Sequence, residues 1–258
     1  MAKFNHSTSS PRKIPALFLY GRHAVTAAIC NSRRKISTLY ATRETADELK
    51  KICLDAQRDP QLIKIVERRD IDKLLPADAV HQGFAAAVKE LETYTLEDIC
   101  ALAQAHPNCH ILILDQVTDP QNIGAIIRSC VAFDTLALIV QDKNSPTESG
   151  AMAKASAGMI ECLPLVRVTN LSRATESLKK AGFWIVGMDG YATTTIDKLN
   201  TSGKIAIIMG SEGKGMRRLV EESCDTTVRL PISEKVESLN VATAAAIALY
   251  ELNKRASI

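Results

Sequence analysis

The sequence predicts an α/β protein of two unequal units: a smaller amino-terminal α/β unit, and a carboxy-terminal one built on a parallel sheet. Three observations carry this. Helix-like and strand-like segments alternate along nearly the whole chain, which favours βαβ-type layering. The strands of the second half, such as "HILILD" and "KIAIIM", are continuous apolar runs rather than alternating ones, as in a parallel sheet covered on both faces. A polar helical connector separates the halves. At 258 residues the chain is long enough for two units that each bury a core.

The elements follow in order. Residues 1–15 read as a basic disordered tail, polar and interrupted by Pro11 and Pro15. In the first unit, residues 16–90, "GRHAVTAAIC" predicts a helix, "ISTLYAT" a strand, "ETADELKKICLDAQ" a helix, "LIKIVE" a strand, "RDIDKLL" a short helix and "GFAAAVKE" a strand. Residues 91–107 predict a linker helix, with Thr95 as its cap, Glu97 and Asp98 in the first turn, and Pro107-Asn108 closing it. In residues 108–258, strands are expected at "HILILD", "LALIV", "FWIVGM", "KIAIIM" and "TTVRL", with helices between them. The last helix, expected over 239–254, is rich in alanine and admits close approach of another helix, either in the core or across a dimer face.

Composition narrows the function classes. With 24% charged and 46% hydrophobic residues, and no apolar run near the roughly 18 residues of a membrane span, the chain reads as soluble and globular. Seven cysteines, odd in number and never spaced C-x-x-C, point to thiols in a reducing compartment, and neither they nor the five histidines form a metal-ligand pattern. The net charge of +3 is uneven: the first 43 residues hold eight Lys and Arg and no acid, a charge of +8, which leaves −5 for the remainder. Such a basic pole attracts a phosphate backbone. A solvated surface or a transit peptide is the alternative reading; the expected location is cytoplasmic, or mitochondrial if the basic amino terminus is a transit peptide.

Three segments carry chemistry. The stretch "IAIIMGSEGKGM", residues 205–216, breaks from a strand into glycines, as phosphate-binding loops do. The P-loop spacing fails, because Lys214 is followed by Gly215 and Met216 and no hydroxyl is supplied for magnesium. Glu212 in mid-loop would repel a polyphosphate, so the loop suits a neutral or cationic ligand; a plain strand-to-helix turn remains the alternative. In "DPQNIGAIIR", Asp119 is placed to cap a helix whose first turn Pro120 holds. Asn122 and Arg128 lie about 600° apart in helical rotation, about 240° net, and share a face only if Asn122 sits in an irregular entry. Taken singly, the asparagine could stabilise a turn and the arginine could be a solvated charge. In "LPISEKVESLNVATA", Pro231 opens a loop, and Ser238 is placed to cap the last helix.

Together, and in this order, "DPQNIGAIIR", "GSEGKGM" and "SLNVATA" resemble the motifs of the SpoU/TrmH branch of the SPOUT methyltransferases, over roughly residues 106–258. The first unit, with "YGRHAV" and "HQGFAA", resembles the substrate-recognition domain of the large-subunit ribosomal RNA guanosine enzymes. The resemblance implies a trefoil knot in the carboxy-terminal unit, a homodimer, and transfer of a methyl group from S-adenosylmethionine to a ribose 2′-hydroxyl of RNA. The implied target is a guanosine of 23S ribosomal RNA; transfer RNA, or a noncatalytic RNA-binding role, is the alternative. A sulfonium without phosphate fits a glycine loop that carries a glutamate. The resemblance further implies that main-chain groups at Gly210, Leu230 and Leu239 hold the cofactor, and that Asn122, Arg128, Glu212, Ser238 and Asn240 form the active centre. One departure stands out: the branch commonly has Pro-Met-x-Gly after the last strand, where this chain has Pro231-Ile232-Ser233-Glu234.

Overall fold

The computed structural model describes residues 17–143, 145–200 and 202–256; the tail expected over 1–15 lies outside them. The first unit comprises β1 (Leu17–Tyr20), α1 (Arg22–Cys30), β2 (Ile36–Ala41), α2 (Ala46–Asp55), β3 (Ile63–Ile65), α3 (Arg68–Asp72) and β4 (Phe84–Val88). Its sheet runs β1-β4-β2-β3, with β4 antiparallel to both β1 and β2, and β3 parallel to β2. Sequence reading passes over β1. Its four residues are too few to show a period, and they become a strand because β4 offers a ladder from Leu17↔Val88 to Tyr20↔Ala85.

The connector is only partly helical. Residues 91–93 are neither helix nor strand, and Tyr94 pairs in parallel with Val166. Then α4 (Leu96–Leu102) starts as expected, with Thr95 and Asp98 closing a reciprocal capping box. A 3₁₀ turn at Ala103–Ala105 ends it before Pro107.

The second unit continues with β5 (Cys109–Leu114), α5 (Pro120–Ala132), β6 (Leu138–Gln141), α6 (Gly150–Ala155), β7 (Leu165–Val168), α7 (Leu171–Lys180), β8 (Phe183–Met188), β9 (Lys204–Met209), α8 (Arg218–Glu221), β10 (Thr226–Val228) and α9 (Val241–Ala256). All its strands are parallel, in the order β10-β8-β9-β5-β6-β7. The apolar runs have the expected cause. Leu112 and Leu114 of β5 and Ile205 and Ile207 of β9 join one core, while Ile111, Ile113, Ala206 and Ile208 enter the core on the opposite face. The edge strand β7 is not evident from sequence, since Arg167 interrupts its apolar residues.

The two units share a core. Leu19, Val25 and Ile29 of the first cluster with Ile126, Ile127, Met152 and Ile160 of the second. Backbone contact is so close at Gly150 that a Cβ there would lie 2.4 Å from the Phe18 carbonyl oxygen and 2.5 Å from Tyr20 Cε1. The basic pole is also less free than its composition suggests. Arg22, Lys35 and Arg43 form exposed pairs with Glu48, Glu92 and Glu67. Arg34 is 1% exposed and lies between Glu148 and Glu161 of the second unit. Burial opposes its charge, but hydrogen bonds to both carboxylates outweigh burial and raise its pKa.

Candidate active site

The carboxyl edges of β5 and β9 lie side by side, with Leu114 opposite Met209. Leaving β9 at Gly210, the chain turns back at once: Ser211 and Gly215 exchange both main-chain hydrogen bonds, at 3.1 and 2.9 Å. Glu212, Gly213 and Lys214 form the exposed tip of this hairpin. Gly213 and Gly215 adopt φ of +78° and +65°, the left-handed region that glycine enters without strain. A Cβ on Gly210 would stand 2.1 Å from the Gly215 carbonyl carbon and 2.3 Å from the Met216 nitrogen, so only hydrogen fits.

Asp115 clamps the base of the hairpin. Its N–H donates to the Met209 carbonyl at 2.8 Å, and its fully buried carboxylate accepts from the Arg217 N–H at 2.9 Å and from Arg217 Nε at 2.8 Å. Both ends of the glycine loop are thus pinned to one residue, and a charge-assisted pair with main-chain support holds a shape that glycines alone would leave loose. Sequence reasoning missed Asp115 and Arg217. The available signal was a carboxylate closing the apolar run "HILILD", a buried position that demands a cationic partner.

The first and third motifs meet at one hydrogen bond. Asp119 caps α5 as expected, accepting from the N–H groups of Gln121 and Asn122. This cap starts the helix at Pro120, so Asn122 is its third residue and not part of an irregular entry. Asn122 and Arg128 therefore lie on different faces, about 240° of rotation apart. Asn122 Oδ1 instead accepts from Asn240 Nδ2 at 3.1 Å. The other end of the Asn240 amide caps α9, accepting from the Ala242 N–H at 2.9 Å and from Thr243. That corrects the expected cap: Asn240 holds the helix start, two residues beyond Ser238, and Ser238 stays exposed on the preceding loop. The missing family glycine in that loop is replaced by a turn at Ser233, where the carbonyl accepts from the Val236 N–H and the hydroxyl from the Lys235 N–H.

Arg128, Glu212 and Ser238 are exposed, and their side chains form no hydrogen bond or ion pair among the described residues. Leu230 packs partly buried against the core, and its carbonyl accepts from the Ile232 N–H at 3.0 Å. The main-chain groups of Gly210 and Leu239 carry no hydrogen bond among the described residues, which leaves polar backbone for a ligand to satisfy. A donor with a cationic centre fits this setting, with Glu212 beside uncommitted main chain, better than a polyphosphate does. Cys130, on the same helix as Arg128, is no nucleophile, because burial pushes its thiol to about 12. Among the described residues no cluster of His, Cys, Asp and Glu is placed to hold a metal ion, and no helix is long and apolar enough to cross a membrane.

The class defined here is a two-unit α/β protein whose candidate site residues follow the carboxyl ends of its parallel strands, where open sheets of this kind bind ligands. Comparison with known proteins supplies the family. Residues 110–250 match the SpoU rRNA Methylase family, and residues 18–94 match the RNA 2′-O ribose methyltransferase substrate binding domain. The chain belongs to the SpoU rRNA methylase family. It is 36% identical to the 23S rRNA (guanosine-2′-O-)-methyltransferase RlmB of Pasteurella multocida, over 91% of this chain and 96% of that protein. It is 39% identical to the enzyme of the same name from Haemophilus ducreyi, with 91% and 96% covered. Among solved structures, the SpoU methyltransferase AviRb from Streptomyces viridochromogenes in complex with the cofactor AdoMet superposes with a TM-score of 0.78 at 23% identity, covering 94% of this chain and 91% of that one.

Proposed function

We propose that this chain methylates the 2′-hydroxyl of a guanosine in 23S ribosomal RNA with S-adenosylmethionine as donor. The observations that support the reading are that the first two motif blocks leave the neighbouring strands β5 and β9 at their carboxyl ends, and that the Asn122–Asn240 bond ties the first block to the third. The near full-length similarity to the guanosine-specific relatives supports the choice of target.

When bound, S-adenosylmethionine supplies an electrophilic methyl group on a sulfonium. Main-chain groups of Gly210, Leu230 and Leu239 would hold it, and the Asp115 clamp keeps the hairpin in register. The acceptor hydroxyl is a weak nucleophile that must be aligned and relieved of its proton. A guanidinium keeps its proton in water, so Arg128 is a poor base. Its role is to bind an RNA phosphate and stabilise the developing alkoxide, with proton loss late. Glu212 and Asn122 orient the ribose, and Ser238 shapes the cofactor loop. Asn240 positions, since both ends of its amide are committed to Asn122 and to the start of α9.

A homodimer with a carboxy-terminal knot in each chain belongs to the same proposal, as does a cytoplasmic location. The return of α9 across α5 supports the knot; exposed Ile247 and Tyr250 on the alanine-rich α9 support the dimer, which light scattering at micromolar concentration should detect. The function is tested by mapping 2′-O-methyl groups in RNA from a deletion strain, alongside calorimetric binding of S-adenosylmethionine and ATP to the pure protein. The expected result is one unmethylated guanosine in 23S ribosomal RNA and binding of S-adenosylmethionine alone. A lost methyl group in transfer RNA would move the target, and preference for ATP would overturn the reading.

A further inference from the structure

Arg34, in the turn between α1 and β2, is a cation buried between the two units. Its Nη2 donates to Glu148 Oε1 at 2.5 Å and to Glu161 Oε1 at 2.7 Å, and its Nη1 donates to the Lys89 carbonyl at 2.7 Å. The remaining carboxylate oxygens are also taken by the first unit and its connector: Asn31 Nδ2 donates to Glu161 Oε2 at 2.8 Å, and the Leu91 N–H to Glu148 Oε2 at 2.9 Å. Glu148 and Glu161 flank α6, so the first unit grips the segments before and after that helix. On α6 itself, Lys154 Nζ donates to the Val80 carbonyl at 2.5 Å and lies 5.7 Å from the Tyr20 ring centroid.

The gripped helix leads to the active site. α6 packs against α5 at Gly124, where a Cβ would stand 2.6 Å from both Ala155 Cβ and the Met152 carbonyl oxygen. Asn122 and Arg128 flank Gly124 on α5. An unbroken series of close contacts therefore runs from Arg34 through α6 to the helix that carries Arg128.

We propose that Arg34 is a positioning residue for methyl transfer: it fixes the RNA-binding unit on the catalytic unit, so that bound RNA presents one ribose to Arg128. This rests on the function proposed above. A unit on a loose tether would hold RNA close to the site without aligning it, whereas a rigid mount turns recognition into alignment. Arginine is required because its planar fork reaches two carboxylates and a carbonyl together, which a lysine ammonium cannot do, and an apolar side chain would leave two buried carboxylates without their cation.

The test uses full-length Arg34→Met and Arg34→Lys with a 23S ribosomal RNA fragment. The expected result is a kcat lower by roughly 10²-fold, the cost of slight misalignment at a reacting centre. KM for the RNA and Kd for S-adenosylmethionine should stay within about threefold, since both binding surfaces remain, and lysine should restore little. Unchanged kcat in Arg34→Met overturns the proposal. Should that variant fail to bind cofactor, the unsubstituted enzyme decides. Cys30 and Cys162 are both exposed and adjoin the hydrogen-bonded Asn31 and Glu161, so a short bismaleimide can bridge the units there. Retained methylation in the bridged enzyme supports a fixed mount, and loss on bridging overturns it. Absence of methylation by the untreated enzyme would count against the proposed function instead.

Discussion

Arg128→Ala is expected to abolish methyl transfer while leaving S-adenosylmethionine affinity within a few-fold of wild type. The proposed cofactor contacts are main-chain groups of the loops that follow β9 and β10, whereas Arg128 projects from α5, exposed and unpaired among the described residues. Its loss should therefore fall on the acceptor side of the reaction. Removing one preorganised electrostatic contact typically costs about 2.7–4 kcal/mol in the transition state, or roughly 10²–10³ in rate. Arg128→Lys discriminates further. If the guanidinium works as a fork on phosphate or alkoxide, lysine restores little, because a point charge cannot make two parallel hydrogen bonds. Substantial activity in Arg128→Lys that climbs about tenfold per pH unit toward alkaline pH would show a base at this position and refute the electrostatic role.

Gly210→Ala is expected to lower S-adenosylmethionine affinity by roughly 10²-fold, measured by isothermal titration calorimetry. The new methyl group would meet backbone at 2.1–2.4 Å on the returning arm of the hairpin, and backbone cannot swing aside as a long side chain can. Nor can the hairpin open freely, since Asp115 holds both Met209 and Arg217. Overpacking of this kind costs about 1–3 kcal/mol or more, and here the cost falls on the loop proposed to hold the cofactor. Gly190→Ala is the control: it lies in the loop after β8, a Cβ there meets nothing within 4 Å, and binding should be unchanged. Wild-type affinity in Gly210→Ala would remove the hairpin from the cofactor site.

The sequence by itself determined the order of the main elements, the two-sided burial of the central strands, and the Thr95 and Asp119 caps. Each of these is written within a few consecutive residues: a run of apolar side chains, or a capping side chain two or three positions before the N–H it serves. Short edge segments were less legible. β1 and β7 are strands because a neighbouring strand offers a ladder, not because their four residues declare one. The cap of α9 shifted from Ser238 to Asn240, where the side chain also meets Asn122, 118 positions away. Only the tertiary structure decided that Asp115 would clamp an arginine 102 residues distant, and that Arg34, one cation in a basic stretch, would be buried between two carboxylates of the other unit. The physical reason is that a buried charge is tolerated only where its partner is also buried within hydrogen-bonding distance, and that distance is set by how the sheets and helices pack, not by any spacing along the chain.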